Sequence, residues 1–346
     1  MNQRISETDR ERIAQRDAAL AARPKLELHL HLEGAAPPDF IRAQAKRKKT
    51  DLSRIFDDRG AYAYRDFTDF LRIYEAACTV LTTPQDFHDL TLAVLEQSAA
   101  QGVVYSETFL SPDFCGGGDV IAWRDYLAAI EAAATQAQRD FGITLRGCIT
   151  CIRHFGPQQA RQIARCAQAT AGPFVTGFGI AGDEGQFHPS DFTYPFDAAR
   201  EAGLGLTAHA GEWGGPDSVR AALDYLRPSR IGHGVRAIED PRLVDKLAEA
   251  GVVLEVCPGS NIALGLYPAH SRHPIDKLRR AGVPVTVSTD DPPFFHTTMT
   301  REYIQLAQSF GWEEDIFAQI AQTALDAAFC DAQTRSDIAK KLETTP

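Results

Sequence analysis

The sequence predicts an α/β protein built as a (β/α)8 barrel, and three observations support this fold class. From about residue 100 onward, short β-rich segments alternate with stretches of helical periodicity that end at Gly or Pro. Eight β segments result when the one near residue 26 is included. A chain of 346 residues is long enough for one such barrel with insertions. The segments are LELHLHLEG, VVYSETFL, GITLRGCITCIRH, FVTGFGIAGDE, LGLTAHAGE, SRIGHG, VVLEVCPGSN and VPVTVSTDDPP.

The spacing of the β segments is interrupted once, between the first and the second. This stretch contains DFIRAQAKRKK and RDFTDFLRIYEAACTVL, which predict a helical cap over about residues 36–100. Residues 1–24 are rich in charge and predict an added N-terminal helix. The barrel domain is therefore expected to span residues 25–346, with the cap inserted after the first strand.

Composition and charge exclude several classes of protein. Hydrophobic residues make up 44% and charged residues 24% of the chain, which is typical of a folded globular protein. The formal net charge is −10 and no lysine occurs between Lys49 and Lys246, which argues against binding of nucleic acid. Neither a leader-like N-terminus nor a run of about 18 apolar residues occurs, so we expect a cytoplasmic protein without a membrane span. The sequence gives no indication of oligomeric state.

The first β segment alternates leucine with polar residues. On a strand, Lys25, Glu27, His29, His31 and Glu33 share one face, and the leucines between them share the other. Because both faces of a barrel strand are buried, we expect the leucines to pack outward and the polar face to point into the barrel. Buried histidines and carboxylates are costly without partners, and a cation would supply one.

Other strand ends carry groups that could complete a metal site. His209 and Glu212 in TAHAGE, His233 in IGHG, and Asp290 and Asp291 in STDDPP all follow β segments. Active sites of barrel enzymes lie at these carboxyl ends. Imidazoles with a carboxylate suit zinc, whose catalytic sites keep one position open for water. The lysine-free span excludes a bridging lysine from strands two to six, so one zinc ion per chain is predicted.

Six motifs in this order, LHLHLEG, AGDE, HAGE, IGHG, EVCPGSN and STDDP, resemble the adenosine/adenine deaminase family of the amidohydrolase superfamily. The resemblance extends over about residues 25–330. It implies hydrolytic deamination at C6 of a small-molecule 6-aminopurine by water that zinc activates. It also implies a ligand set, and the residues at the matching positions are His29, His31, His209 and Asp290.

The same resemblance implies roles around the purine. Glu212 protonates N1, His233 orients the water and helps to deprotonate it, Asp291 contacts N7, and the backbone amide of Gly182 donates to N3. Glu212 can act in this way only if an apolar site or nearby negative charge keeps it neutral. The resemblance further places Asp290 among the catalytic groups.

Other residues of these motifs have less direct roles. The resemblance places His31 among the substrate contacts as well as the metal ligands. Asp183 and Glu184 of AGDE are expected to orient neighbouring loops, and His154 is expected to be structural.

The motifs leave the substrate open. Glu33 takes the position of an aspartate that contacts the ribose in many adenosine deaminases, whereas HLEG also occurs in adenine-specific relatives, where the longer side chain could fill the ribose space. Because SNIALG and TDDPPFF do not match the usual adenine-deaminase pattern well, adenosine and 2′-deoxyadenosine are the predicted substrates. Adenine and a modified 6-aminopurine are the alternatives. A purine-binding barrel without catalysis is disfavoured by the complete ligand set, and a Pro-Cys-x-x-Cys zinc deaminase is excluded because no Pro-Cys pair occurs.

The predicted cap contains an apolar helical stripe. Phe67, Phe70, Leu71 and Tyr74 have the spacing i, i+3, i+4, i+7. Such a stripe either packs in a core or, as the resemblance implies, covers the mouth of the barrel. In the second arrangement Phe70 and Tyr74 would contact the substrate and exclude water from it.

Overall fold

The computed structural model describes residues 7–343, and eight parallel strands form its barrel. The strands pair in chain order, and a parallel bridge between Leu30 and Asp290 joins the end of the last strand to the first. The predicted (β/α)8 barrel is thus confirmed. The strands are β1 (Lys25–His31), β2 (Val103–Leu110), β3 (Thr144–Ile152), β4 (Val175–Ala181), β5 (Gly205–Ala210), β6 (Arg230–His233), β7 (Val253–Val256) and β8 (Val285–Val287).

Helices occupy the connections, and their ends follow the sequence signals. The ninth helix, for example, begins after Asp240, whose carboxylate accepts the Arg242 N–H, and ends at Gly251 with φ 64°. The helices are α1 (Glu7–Ala22), α2 (Pro38–Lys48), α3 (Phe67–Cys78), α4 (Pro84–Ala100), α5 (Val120–Phe141), α6 (Pro157–Thr170), α7 (Thr193–Glu201), α8 (Pro216–Ala221), α9 (Pro241–Ala250), α10 (Pro258–Ala263), α11 (Ile275–Arg280), α12 (Met299–Phe310), α13 (Glu314–Ala327) and α14 (Ala332–Glu343).

The excursion between β1 and β2 contains three helices with different neighbours. Helix α4 packs against α5 and β2, as a helix of the outer ring does. Helix α3 lies over the barrel mouth and lines the cavity described below. We therefore propose that the cap proper is limited to α2, α3 and the turn Ser53–Ile55 between them.

The predicted N-terminal extension contains helix α1, and its residues 1–6 lie outside the described residues. Helix α1 packs against α12. At its end, the Lys25 ammonium donates to the carbonyl oxygens of Ala21 and Arg23. Among the described helices, none is long and apolar enough to cross a lipid bilayer.

The polar face of β1 is not continuous. The expectation that this face points into the barrel is wrong for Glu27, whereas Leu26 and Leu28 pack against helices as predicted. The register of β1 against β2 shifts after Glu27. The Glu27 carboxylate accepts hydrogen bonds from the backbone and hydroxyl of Thr289 and lines a separate cavity near α4 and α12. Leu26 and Leu28 pack in an apolar cluster with α13 and α14, apart from the main core. Only the segment from His29 onward contributes to the site.

Candidate active site

A narrow cavity of about 60 Å³ lies at the carboxyl ends of the strands, between the barrel and helix α3. Polar side chains from several strand ends form its floor, and aromatic side chains of the cap form its roof. Two of the predicted site residues, His29 and Glu33, lie outside this lining. The predicted residues that line the cavity are His31, Phe70, Tyr74, Gly182, His209, Glu212, His233, Asp290 and Asp291.

The four predicted metal ligands converge at the cavity floor. Nε2 of His29 and Nε2 of His31 lie 3.4 and 3.3 Å from Oδ1 of Asp290. Nε2 of His31 also lies 3.3 Å from Nε2 of His209. These side chains come from β1, β5 and the segment after β8, so the barrel brings together ligands that are far apart in sequence. Two overlapping groups could hold an ion: His29, His209, His233 and Asp290, and His31, Asp290 and Asp291.

The donor atoms that converge at the site fit a cation. Nε2 of His29 is buried and faces Oδ1 of Asp290 at 3.4 Å, and Nε2 of His209 faces Nε2 of His31 at 3.3 Å. Burial, and then the nearby charge of His29, lowers the pKa of His209 well below its ordinary value. The imidazole of His209 is therefore neutral, which is the form that binds metals.

Glu255 supports this site and was not found from the sequence. Its Oε2 lies 2.9 Å from Nδ1 of His29, and its other oxygen pairs with Arg230. A carboxylate behind a metal-binding histidine fixes the orientation of the ring. The available signal was that Glu255 is the first residue of the motif EVCPGSN and a charged residue within the buried segment VVLEV.

The backbone conformation also determines the direction of two side chains of the site. His233 and Asp290 have φ values of 60° and 67°, in the left-handed region that residues other than glycine rarely adopt. The Ser260 hydroxyl donates to Oδ2 of Asp290 at 2.7 Å, which holds that carboxylate in place. Such conformations persist where surrounding contacts enforce them and are frequent at functional sites.

The carboxyl groups at the site differ in protonation state, because their surroundings shift their pKa values in opposite directions. Burial, followed by the negative charges of Asp290 and Glu184, raises the pKa of Glu212 well above its ordinary value. Burial and the charge of Asp290 do the same to the pKa of Asp291. Burial alone would raise the pKa of Asp290, but hydrogen bonds with His29 and His31 lower it well below its usual range. Glu212 and Asp291 can therefore donate protons while Asp290 stays ionised.

Glu184 holds the loop that carries Glu212, as predicted from the AGDE motif. Its carboxylate accepts the backbone N–H groups of residues 211–214 at 2.6 to 3.1 Å and the hydroxyl of Ser218. Burial would raise the pKa of Glu184, but these hydrogen bonds lower it below its ordinary value. The carboxylate is thus charged and fixes the position of the loop.

His154 lies on the cavity wall, and its contacts agree with the structural role expected from the sequence. Its Nδ1 accepts the Asp183 N–H at 3.2 Å, and its Nε2 lies 3.2 Å from Oε1 of Glu75 on α3. His154 therefore links the barrel to the cap. Its place directly after β3 was the signal for a position on the cavity wall, because the other cavity histidines also lie at or after strand ends.

Glu33 lies behind the cavity wall. The Tyr74 hydroxyl donates to its Oε2 at 3.4 Å, and its Oε1 is buried without a hydrogen-bond partner within residues 7–343. Burial raises the pKa of Glu33 to about 7. Tyr74 lines the cavity and Glu33 does not, so the ribose contact expected for Glu33 stays a prediction.

The apolar stripe of α3 faces the barrel mouth, which answers the question left open by its spacing. Phe67, Phe70, Leu71 and Tyr74 all line the cavity. The ring of Phe70 lies 5.3 Å from that of Phe295, which follows β8. The cap and the barrel therefore form one aromatic wall around the space above the metal-binding residues.

Comparison with known proteins agrees with this geometry. The model of the family described as "Adenosine deaminase" matches residues 24–345. The chain belongs to the adenosine deaminase family. As a member of this family it is a hydrolytic deaminase that acts on a C–N bond of a 6-aminopurine.

Two similar proteins of the family are described as adenine deaminases. The protein from Chelativorans sp. (strain BNC1) is 49% identical over 321 residues, which cover 92% of this chain and 98% of that protein. The protein from Rhizobium rhizogenes (strain K84 / ATCC BAA-868) is 46% identical over 320 residues, with coverages of 92% and 98%.

Solved structures show the same similarity. An adenine deaminase from Arthrobacter aurescens is 31% identical with a TM-score of 0.85, and the match covers 93% of this chain and 98% of the other. An amidohydrolase from Burkholderia ambifaria, solved with bound Zn, is 29% identical with a TM-score of 0.83 and coverages of 100% and 95%. Enzymes of this type depend on a metal ion, and the histidines and Asp290 described above could bind one.

Proposed function

We propose that the protein hydrolyses adenine to hypoxanthine and ammonia. The observation that carries this proposal is the similarity, at 45 to 49% identity over about nine tenths of the chain, to proteins described as adenine deaminases. The nucleosides were preferred because SNIALG and TDDPPFF match the usual adenine-deaminase pattern poorly. The similarity along the whole chain supports the alternative, adenine, better than the nucleosides.

The shape of the cavity supports the free base. Phe67, Phe70 and Tyr74 occupy the side toward the cap, and Tyr74 separates Glu33 from the cavity. We propose that these aromatic side chains limit the room for a sugar attached to the base.

We propose one zinc ion per chain, held by His29, His31, His209 and Asp290. The support is the convergence of Nε2 of His29 and Nε2 of His31 on Asp290, the approach of Nε2 of His209 to Nε2 of His31, and the zinc in the Burkholderia structure. Zinc would supply a water molecule acidic enough to attack an aromatic carbon at neutral pH. The ionised carboxylate of Asp290, with Ser260 on its Oδ2, faces the same space.

The remaining roles follow from the charge states of the side chains. N1 and N7 of adenine are hydrogen-bond acceptors, so a carboxyl group must be protonated to donate to either. The raised pKa values of Glu212 and Asp291 meet this requirement. Donation from Glu212 to N1 withdraws electrons from C6 and makes it more open to attack. His233 orients the water, and the N–H of Gly182 donates to N3.

The test is ammonia release from adenine, adenosine, 2′-deoxyadenosine and N6-methyladenine, with zinc measured on the same sample. We expect kcat/KM for adenine to exceed that for either nucleoside by at least about a hundredfold, equivalent to about 2.7 kcal/mol of transition-state binding. A nucleoside preferred over adenine would contradict the proposal and leave the family assignment intact.

A further inference from the structure

A chain of hydrogen bonds leads from the backbone of α11 to His233. The Ile275 N–H donates to Nδ1 of His273 at 3.2 Å. Nε2 of His273 lies 3.0 Å from Oδ1 of Asn261, and Nδ2 of Asn261 lies 3.4 Å from Nδ1 of His233. The three side chains are at most 2% exposed, so bulk water does not compete for these contacts.

The backbone group at the end of this chain determines the direction of every hydrogen bond in it. A peptide N–H can only donate, so Nδ1 of His273 must be an acceptor and its proton lies on Nε2. That proton is donated to Oδ1 of Asn261, which orients the amide so that its N–H groups face His233. Nδ1 of His233 is then an acceptor, and the proton of the neutral imidazole lies on Nε2. Burial lowers the pKa of His273 to about 3, in agreement with a neutral ring at the start of the chain.

We infer that Asn261 and His273 are positioning residues that hold His233 as the tautomer with its proton on Nε2, and this inference rests on the proposed function. Nε2 of His233 lies 3.8 Å from Oε2 of Glu212 and 3.9 Å from Oδ2 of Asp290, on the cavity floor. In this tautomer the ring donates to the oxygen of the attacking water. It orients that water and does not accept its proton, which narrows the role implied by the family resemblance.

The fixed tautomer also prevents His233 from acting as a metal ligand. His233 lies within 4.8 Å of the ligand atoms of His29, His209 and Asp290, close enough to bind the same ion. An imidazole binds a metal through an unprotonated nitrogen. Because Asn261 occupies Nδ1 and the proton occupies Nε2, His233 has no free lone pair to offer. The chain of hydrogen bonds thus leaves His233 to contact the attacking water and not the metal ion.

The direct test is the tautomer of His233 in zinc-loaded protein labelled with 15N-histidine. Long-range 1H–15N correlation spectra distinguish a proton on Nε2 from one on Nδ1, and a His233→Asn variant assigns the signals. We expect the Nε2 tautomer in the unaltered protein. An Asn261→Asp carboxylate can only accept, so it should move the proton of His233 to Nδ1. His270→Gln, a change of a histidine outside the chain, should leave His233 unchanged.

Kinetics with adenine supply the second readout. The amide of His273→Gln can still donate to Asn261, so kcat should stay within about threefold of the unaltered protein. His273→Leu and Asn261→Asp should lower kcat at least about tenfold, with KM and zinc content nearly unchanged, because a wrongly protonated histidine lowers turnover by up to about 10⁴-fold in other hydrolases. If Asn261→Asp does not fold, Asn261→Ala replaces it and should give a mixture of tautomers.

The Nδ1 tautomer in the unaltered protein, or an unchanged tautomer in the folded Asn261 variants, would overturn the inference. Equal kcat losses in His273→Gln and His273→Leu would do the same. Absence of adenine turnover in the unaltered protein would instead count against the proposed function, because the tautomer is measured without catalysis.

Discussion

Nδ1 of His29 lies 2.9 Å from Oε2 of Glu255, and both side chains are fully buried inside the barrel. The second oxygen of Glu255 pairs with Nε of Arg230, and Nη2 of Arg230 pairs with Glu107. Burial would raise the pKa of Glu255, but the charge of Arg230 and the contact with His29 lower it. A charged carboxylate therefore holds the ring of His29 with its Nε2 directed at the candidate metal site.

Glu255→Gln is predicted to weaken zinc binding by about 10- to 100-fold, the usual effect of losing such a carboxylate. The amide cannot hold the ring of His29 by the same charge-assisted hydrogen bond. Competition with a chromophoric chelator measures the change, and Glu249→Gln, at an exposed glutamate of α9, is the control. Equal zinc affinity in both variants would show that the ring is held by packing alone.

His209→Ala is predicted to lose both zinc and adenine turnover. The substitution removes one of the imidazoles that converge on Asp290, and a site with fewer ligands binds its ion more weakly. Metal analysis after dialysis, beside an activity assay with and without added zinc, checks this. Full activity in protein without metal would remove zinc from the proposed mechanism.

Glu212→Gln should retain zinc and purine affinity but lower kcat by at least about a hundredfold, the scale for loss of a general acid. The amide preserves the shape of the side chain but cannot transfer a proton to N1. The comparison needs kcat, KM and zinc content for both proteins. Near-normal turnover would assign protonation of N1 to another group.

Substitutions of Glu33 test whether the aromatic wall formed by α3 selects adenine over adenosine. Glu33→Asp shortens the side chain that holds the Tyr74 hydroxyl, which should loosen the aromatic wall toward the sugar side. We expect the ratio of kcat/KM for adenosine to that for adenine to rise at least about tenfold, equivalent to about 1.4 kcal/mol. A selective loss of adenosine turnover in Glu33→Ala, with adenine turnover unaffected, would instead support the ribose contact that the sequence predicts for Glu33.

Glu184→Gln is predicted to destabilise the protein by roughly 2 to 4 kcal/mol, since an amide oxygen cannot replace a buried carboxylate that accepts several N–H groups. The pKa of Glu184 is lower in the folded protein than its ordinary value of 4.5. Its stabilisation is therefore present above about pH 4.5 and is lost as the pH falls below it. Urea unfolding at pH 7 and pH 4 should show a smaller difference between the two proteins at the lower pH.

The sequence was sufficient to predict the barrel and most of the cavity because both depend on local patterns. His209, His233 and Asp290 each lie at or just after a strand, and in a parallel barrel these positions must meet at one end. Two features of the site depend on distant contacts that no local pattern contains. Glu255 contacts His29 across 226 positions of sequence, and Tyr74 separates Glu33 from the cavity only because α3 folds back over the barrel.

The first strand shows a different limit of prediction. Its strict alternation of leucine and polar residues gave no sign of the register shift after Glu27. An irregularity of this kind arises from pairing with neighbouring strands, which the strand's own sequence does not specify.

The seam of the barrel has a consequence for biosynthesis. The N–H of Asp290 donates to the carbonyl of His29, and the N–H of His31 donates to the carbonyl of Asp290, both at 3.1 Å. The candidate ion would thus join the first strand of the barrel to the segment that follows the last strand. A nascent chain cannot assemble this set of ligands until nearly all of it has left the ribosome. Acquisition of the ion would then mark the moment at which the ring of strands is completed, and a truncated or misassembled product would be recognisable by its failure to retain metal.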